Sequence, residues 1–256
     1  MNRGEVVGGL TPVASRKVRA SARLFDKKEF KQRIIVKFGN AQTSGWKMNG
    51  KRIKQTLLLT CLVLIVSLNQ VYAKCTDRRA PGVDWSGCKK TNKMLDDSNF
   101  NGARLVKTNM SLSSATNSQF NNSDLTKAAG YRADFDQVTL QNSIMTKSEF
   151  SRATFRDATI SDVDWSKAEL GRVDFSGAEL KNVSFVYSNI SRVRFANAKL
   201  KDVDFWRAYT YRTRFEDVDL SQVQRLSQLQ LEIACGNANT RLPEDRLMPD
   251  NWPCEE

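Results

Sequence analysis

The chain contains no histidine. This absence excludes Ser-His-Asp and Cys-His catalysis, and it removes the usual pH-sensing side chain and a frequent metal ligand. The glycine-rich phosphate loops G-x-G-x-x-G and G-K-[ST] are missing too, and so is the nucleophile turn G-x-S-x-G. We therefore expect no catalytic residues, no cofactor and no metal site, and a protein that is not an enzyme.

Long apolar runs are also scarce. The longest, residues 57–68, is shorter than the roughly 20 residues that a membrane-spanning helix needs. It follows the basic segment 48–54 and precedes small residues, so that residues 48–73 resemble a Sec-type signal peptide cleaved after Ala73. This interpretation predicts a periplasmic or secreted protein. The alternative is that residues 56–72 stay uncleaved and anchor the chain to the cytoplasmic membrane.

The excess of positive charge is confined to the front of the chain. The formal charge is +12, but residues 1–73 hold 14 Lys and Arg against 3 Asp and Glu, whereas residues 74–256 hold 26 against 25. Residues 1–47 are basic and show no pattern; we interpret them as a disordered extension, or as untranslated sequence if synthesis starts at Met48. Because the remainder is nearly neutral, no nucleic-acid partner is expected.

A five-residue period dominates the rest of the chain. From Leu95 to Leu220 every fifth residue is large and apolar, except at Ala115, Gly130 and Thr210. A small or β-branched residue stands two places before each of them from Phe100 onward. A period of five fits neither a helix nor a strand, so this region is a tandem repeat.

A longer period of twenty lies over the first. Phenylalanine recurs at 135, 155, 175, 195 and 215, and arginine recurs three places earlier in each case. Since twenty is four fives, we expect four pentads to form one turn of a coil in which like residues stack. With coils spaced by roughly 4.8 Å, about six turns give a rod on the order of 30 Å long.

In three pentads, residues 133–135, 178–180 and 203–205 stand at the first three positions of the consensus A-[D/N]-L-x-x and fit it. The chain therefore resembles the pentapeptide-repeat proteins over about half of its length. The resemblance implies an all-β fold, a right-handed quadrilateral parallel β-helix with the central and the small residues of each pentad inside. It implies no single function, because members of this family differ widely in role.

The segments on either side of the repeat, residues 95–220, are predicted to cap it. In the N-terminal cap, residues 74–94, Trp85 is expected to cover the first coil, and Lys90 breaks the phase of the repeat. Residues 221–256 form a C-terminal cap and tail. A short capping helix ended by Gly236 is predicted there from the spacing of Val223, Leu226, Leu229 and Ile233.

Cysteine is absent from the repeat itself. Apart from Cys61 in the apolar run, two cysteines lie at each end of the rod, namely Cys75, Cys88, Cys235 and Cys254. The ends are too far apart for cross-pairing, so we expect the disulfides Cys75–Cys88 and Cys235–Cys254 and an oxidising compartment. Four free thiols or a zinc site are the weaker alternatives.

One column of charge is a candidate surface for a partner. It contains Arg132, Arg152, Arg172, Arg192 and Arg212, whose positive charges repel one another unless carboxylates or a polyanion lie between or over them. One interpretation is a site for a polyanion or an acidic protein. The other is an exposed face on which these arginines pair with Asp134, Asp174 and Glu149.

The sequence therefore predicts an exported, non-enzymatic scaffold of the bacterial envelope whose partner, a protein or a polyanion, it does not identify. The family resemblance offers an alternative, because some members mimic DNA and bind a topoisomerase. That role needs a strongly acidic cytosolic rod, and both the balance of charge and the export signal disfavour it. A membrane-anchored repeat protein is the third hypothesis, and the oligomeric state is left open.

Overall fold

The computed structural model describes residue 73 and residues 75–254. Every described residue belongs to one compact unit, which spans Gln70–Glu256. The predicted extension 1–47 and the predicted signal peptide or anchor up to residue 72 lie outside the described residues. Within the described part of the chain, no helix has the length and apolarity to cross a membrane.

Each pentad folds into a two-residue turn followed by three extended residues. In the pentad 151–155, Ser151 and Arg152 make the turn, Ala153 and Phe155 are buried, and Thr154 faces outward between them. Arg152 has a φ of 64°, in the left-handed region that most side chains avoid. Its N–H donates a 2.9 Å hydrogen bond to Gly171 O of the next coil. Equivalent bonds recur along the solenoid and offset the cost of each corner.

Residues twenty apart pair in parallel from Asp84 to Gln224. Where three consecutive residues pair, they form the strands β1 (Thr139–Gln141), β2 (Thr159–Ser161), β3 (Glu179–Lys181) and β4 (Lys199–Lys201). These make one parallel sheet in the order β1-β2-β3-β4, with Leu140 opposite Ile160. Elsewhere single bridges continue the ladders, as between Asp134 and Thr154. Four pentads thus make one coil, and the predicted all-β parallel β-helix is confirmed.

The core consists of stacked side chains rather than of packed layers. Phe135, Phe155, Phe175, Phe195 and Phe215 form one column, with successive ring centroids 5.2 to 5.5 Å apart. Each of these rings is buried, and burying one stabilises the fold by roughly 1.5–3 kcal/mol. Most serines at the small inward position donate to a carbonyl, as Ser143 Oγ does to Phe120 O at 2.6 Å, although the buried hydroxyl of Ser148 has no protein partner.

Two interruptions of the five-residue pattern have local causes. At Gly130 the space is filled by the ring of Phe150, since a Cβ at residue 130 would lie 2.3 Å from Phe150 Cε1. At Thr210 the coil meets the C-terminal cap, and the threonine hydroxyl donates to Gln230 O at 2.8 Å. The side-chain amide of Gln230 in turn donates to the backbone carbonyls of Phe205 and Ala208.

The glycine at 130 gives a test of this packing. Gly130→Ala forces its methyl group against the Phe150 ring, so we expect a loss of about 1–3 kcal/mol in the free energy of unfolding. Gly171→Ala is the matched control, because the nearest atom to its added Cβ is Ser191 Oγ at 3.5 Å. Denaturant unfolding should leave the control within about 0.5 kcal/mol of the parent. Equal stability of the two variants would contradict the placement of Phe150.

The solenoid begins earlier than residue 95, where the sequence places it. The first bridge of the ladders joins Asp84 to Arg104, and the turn at Pro81–Gly82 opens the first pentad. Trp85 is 2% exposed and packs against Phe100 at 5.2 Å, so it is a core residue of the first coil rather than a cover over it.

Lys90 does not break the phase of the repeat but occupies a central, inward position. Its Nζ lies 3.5 Å from the centroid of the Trp85 ring and donates to Cys75 O at 2.8 Å. Burial lowers the pKa of this ammonium group below its usual value. An inward lysine is tolerated at this end of the rod because the carbonyl and the aromatic face satisfy its charge.

The C-terminal cap contains one short helix, α1 (Gln228–Glu232). It is shorter than the predicted segment: Ser227 caps it in a capping box with Gln230, and it ends at Ile233 rather than at Gly236. Of the predicted apolar stripe, Leu226 is buried and Val223 packs against the core, but Leu229 is 69% exposed and does not face the coil. Gly236 instead makes room for Trp252, since a Cβ there would lie 2.2 Å from that ring.

Each end of the solenoid carries one disulfide. The structure joins Cys75 to Cys88 and Cys235 to Cys254, the pairs expected from the sequence, with a Cα–Cα distance of 5.4 Å in both. The second bond ties the tail to the last coil, where Trp252 Nε1 also donates to Ala234 O at 2.8 Å.

Removing the C-terminal disulfide should be costly. Cys235→Ser opens a loop spanned by a sequence separation of 19 residues, and we expect the free energy of unfolding to fall by about 3 kcal/mol. A calorimetric melt of the variant checks this, with the parent protein measured in reductant as its control. A variant with the same melting temperature as the oxidised parent would show that the bond is absent or does not stabilise the fold.

Candidate functional site

The five predicted ladder arginines stand at one corner of the solenoid. Each is the second residue of its turn, with φ between 52° and 64°, and each is exposed. Because residues twenty apart pair between coils, the arginines stack directly above one another at roughly 4.8 Å. Among the described residues none of the five lies within 4.0 Å of a carboxylate oxygen. The proposed partners Asp134, Asp174 and Glu149 therefore form no ion pair with them.

A second basic column lies at the next corner, and sequence reasoning missed it. It consists of Lys107, Lys127, Lys147, Lys167, Tyr187 and Arg207, all with positive φ and all at the second turn position. The signal was present, since lysine recurs every twenty residues from 107 to 167. The spacing of twenty shows that these lysines stack in a column. It does not show that their corner lies next to the corner of the arginines.

The two basic columns lie along the two edges of one face of the solenoid. Lys147 and Arg152, for example, flank the extended residues 148–150, so the columns are about three strand residues, or roughly 10 Å, apart. Between them runs the outward column Asn109, Ala129, Glu149, Glu169, Asn189 and Tyr209. We call this face with its two corners the basic side. It carries ten corner cations, and its only carboxylates in the described column are Glu149 and Glu169.

The other two corners carry no lysine or arginine at the second turn position. One holds Asp97, Asn117, Gln137, Asp157, Gly177, Asn197 and Asp217, and the other holds Gly102, Asn122, Asn142, Asp162, Asn182 and Asp202. The near-neutral balance of residues 74–256 therefore conceals a separation of charge across the rod.

Several cations away from the basic side form ion pairs. All ion pairs of the described residues lie elsewhere, among them Arg156 with Asp136 at 2.5 Å and Lys199 with Glu179 at 2.5 Å. The hydrogen bond that Arg156 donates to Asp136 raises the pKa of Arg156 above its usual value. The ten corner cations of the basic side have no such partners, and they are free to bind an anion from outside.

The exposed aromatic residues gather on the same side. Among the described residues the exposed aromatic side chains are Tyr131, Tyr187, Trp206, Tyr209 and Tyr211. Arg207 lies over Tyr187 and Trp206, with its Cζ 5.5 and 5.1 Å from the two ring centroids. A surface that combines cations with flat, amphipathic rings is suited to binding a ligand.

A cleft flanks the arginine column on its other edge. It has a volume of about 400 Å³ and is lined by Arg172, Asp174, Arg192, Arg194, Arg212 and Arg214 and by the cystines Cys235 and Cys254. Arg214 donates to Glu216 at 2.9 Å, whereas Arg194 has no ion pair among the described residues. The described residues contain no group of three or more carboxylate or cysteine side chains suited to a metal ion.

Coils of four pentads, joined by parallel bridges between residues twenty apart, define a four-sided parallel β-solenoid. The family model described as "Pentapeptide repeat region" matches residues 113–191, and "Pentapeptide repeats (8 copies)" matches residues 95–128 and 188–224. Together the matches span half of the chain. The chain therefore belongs to the pentapeptide-repeat family.

A solved structure shares this fold at low sequence identity. A trypsin-treated form of QnrB1, a plasmid-mediated fluoroquinolone resistance protein, is 17% identical with a TM-score of 0.52, over 66% of this chain and 87% of that one. HetL, a pentapeptide-repeat protein involved in heterocyst differentiation regulation in the cyanobacterium Nostoc, is 15% identical with a TM-score of 0.35, over 68% and 93%. No curated protein matches the sequence.

Proposed function

We propose that this protein is a non-enzymatic interaction protein of the bacterial envelope, and that its basic side binds an anionic partner. The observation that carries the proposal is the double column of ten unpaired cations, Lys107, Lys127, Lys147, Lys167, Arg207, Arg132, Arg152, Arg172, Arg192 and Arg212. Members of the family generally serve as structural or interaction proteins, in keeping with such a role.

The energetics of the basic side favour an anionic partner. Like charges stacked along a column repel one another, although solvent and salt screen most of this repulsion between exposed side chains. A bound polyanion relieves this repulsion along both columns, and the field of the array steers the partner to it. The alternative of a DNA-mimicking, topoisomerase-binding rod needs a surface of the opposite charge.

A salt titration of the protein on dextran sulfate, a generic polyanion, tests the binding. The logarithm of the association constant should fall linearly with the logarithm of salt concentration, with a slope that counts the contacts, here at least about 4 of the ten cations. A slope near zero, or no binding at low salt, would contradict the proposal.

Export is supported by the signal-like segment 48–73 and by the two disulfides, which persist in oxidising compartments. The intact mass of the native protein from separated cell fractions tests it. We expect a soluble envelope species that begins at Lys74 and gains four hydrogens on reduction. A full-length, reduced cytosolic species would overturn export, and an intact species in the membrane fraction would favour the anchor at residues 56–72 instead.

A further inference from the structure

The basic side contains a hollow beside the arginine column. It has a volume of about 410 Å³, within the range of small-ligand sites, and it is lined by Ser151, Arg152, Gly171, Arg172, Ser191, Arg192, Tyr209 and Tyr211. Nothing in the core requires a hollow here. It arises because three small residues, Ser151, Gly171 and Ser191, occupy consecutive coils at the first turn position.

The tyrosines form one wall of this hollow. Tyr209 and Tyr211 are 53% and 41% exposed, and their rings are nearly parallel, 12° apart, with centroids 6.2 Å from each other. Arg192 lies beside them, with its Cζ 5.9 Å from the Tyr211 ring centroid. Exposed, parallel rings of this kind offer a flat apolar surface whose hydroxyls still reach water, which suits the C–H face of a sugar ring.

The arginines form the opposite rim. Three guanidinium groups, from Arg152, Arg172 and Arg192, stand in consecutive coils, and their planar forks match carboxylates in a bidentate geometry. A 1,4-linked uronate polymer carries a carboxylate on every sugar, so a strand that lies along the column offers the arginines a repeating series of carboxylates. The hydroxyls of Ser151 and Ser191 lie at the floor as further hydrogen-bonding groups.

The neighbouring column distinguishes a sugar from other anions. Glu149 and Glu169 lie in the middle of the face, and Asn189 Nδ2 donates to Glu169 Oε2 at 2.9 Å. A carboxylate accepts hydrogen bonds from sugar hydroxyls, whereas it repels a polyphosphate, which offers no donor. The same two charges disfavour a flat layer of anionic lipid headgroups.

We infer that the hollow is a subsite for an acidic sugar, and that the anionic partner is a uronate-bearing polysaccharide lying along the basic side. The inference rests on the proposed function and specifies the ligand class. The arginines bind the carboxylates, the tyrosines stack on the sugar rings, and the column of Glu149 and Glu169 accepts hydrogen bonds from hydroxyls.

The test compares polygalacturonate with inorganic polyphosphate, both titrated into the purified protein. Tyr209→Ala/Tyr211→Ala should weaken polygalacturonate binding at least about tenfold and polyphosphate binding less than about twofold. The conservative pair Tyr209→Phe/Tyr211→Phe keeps the rings and should retain most of the affinity. Ile144→Ala removes an apolar side chain that is 46% exposed and lies on a face outside the basic side, so it is the control, with both affinities within about twofold of the parent.

The outcomes separate this inference from the proposed function. Equal weakening of both polymers, no weakening of either, or tighter binding of polyphosphate than of polygalacturonate by the parent would overturn the sugar subsite. In each of those cases the basic side would still be an anion-binding surface. Binding of neither polymer would overturn both.

Discussion

Phe175→Asp should abolish cooperative folding of the solenoid. Phe175 is fully buried, and its ring lies 5.4 Å from both Phe155 and Phe195 in the central column. Truncating a buried phenylalanine to alanine already costs about 3–5 kcal/mol, and the aspartate adds a charge with no partner inside the coil. Because each coil packs only on its neighbours, a defect at the centre disconnects the two halves. Circular dichroism should show lost β-type signal and no sharp thermal transition.

Arg172→Ala is the control for this experiment. Arg172 lies three residues from Phe175, but it is exposed and has no ion pair among the described residues, so its removal should change stability by less than about 0.5 kcal/mol. A Phe175→Asp variant that melts like the parent would contradict the inward position of the central residues. A large loss from Arg172→Ala would instead make the arginine column a structural element.

Arg172→Glu/Arg192→Glu should abolish most binding to dextran sulfate. Each basic residue near an anionic surface contributes on the order of 1 kcal/mol, and reversing its charge replaces attraction by repulsion. We expect affinity to fall at least about 30-fold at physiological salt, with an unchanged melting temperature. The two arginines stand in consecutive coils at the edge of the basic side, so the change removes adjacent contacts.

Lys181→Glu/Lys201→Glu provides the matched control. These lysines also stand in consecutive coils, are exposed, and give the same change in net charge, but they lie at the corner diagonally opposite the arginines. Their reversal should alter affinity less than about threefold. Equal losses from the two double variants would mean that the polyanion senses net charge alone, and that the basic side is not a binding site.

Most of the fold follows from the sequence because a solenoid repeats one local rule. The five-residue spacing assigns Phe135 and Phe155 to the interior, and the twenty-residue spacing predicts that they stack. The arginine column follows from the same count. The lysine column at 107 to 167 was equally visible, but only the folded coil shows that the two columns edge one face.

The ends of the solenoid were harder to predict, because there the repeat no longer constrains each residue. Lys90 is a charged residue at an inward position, and its place depends on the ring of Trp85 and the carbonyl of Cys75. In the C-terminal cap, apolar spacing alone predicted a longer helix. The buried amide of Gln230, which caps the carbonyls of the last coil, fixes the helix instead.

The hollow was not predictable from the sequence either. Its floor results from small residues at turn positions, and such residues usually signify only a turn. Tyr209 and Tyr211 also had no distinctive signal, because they do not recur with the period of twenty. Only in the folded chain do the two rings stack on each other and line one hollow together with the arginines.

The central claim is that the basic side binds a polyanion. Lysine acetylation, measured by mass spectrometry with and without saturating dextran sulfate, tests it most directly. The protein contains its own control, since Lys107, Lys127, Lys147 and Lys167 lie on the basic side and Lys181, Lys199 and Lys201 lie away from it, all of them exposed. We predict that the polyanion protects the first four from modification and leaves the other three unchanged. Uniform protection of all seven, or protection of the second group alone, would contradict the basic side as the binding surface.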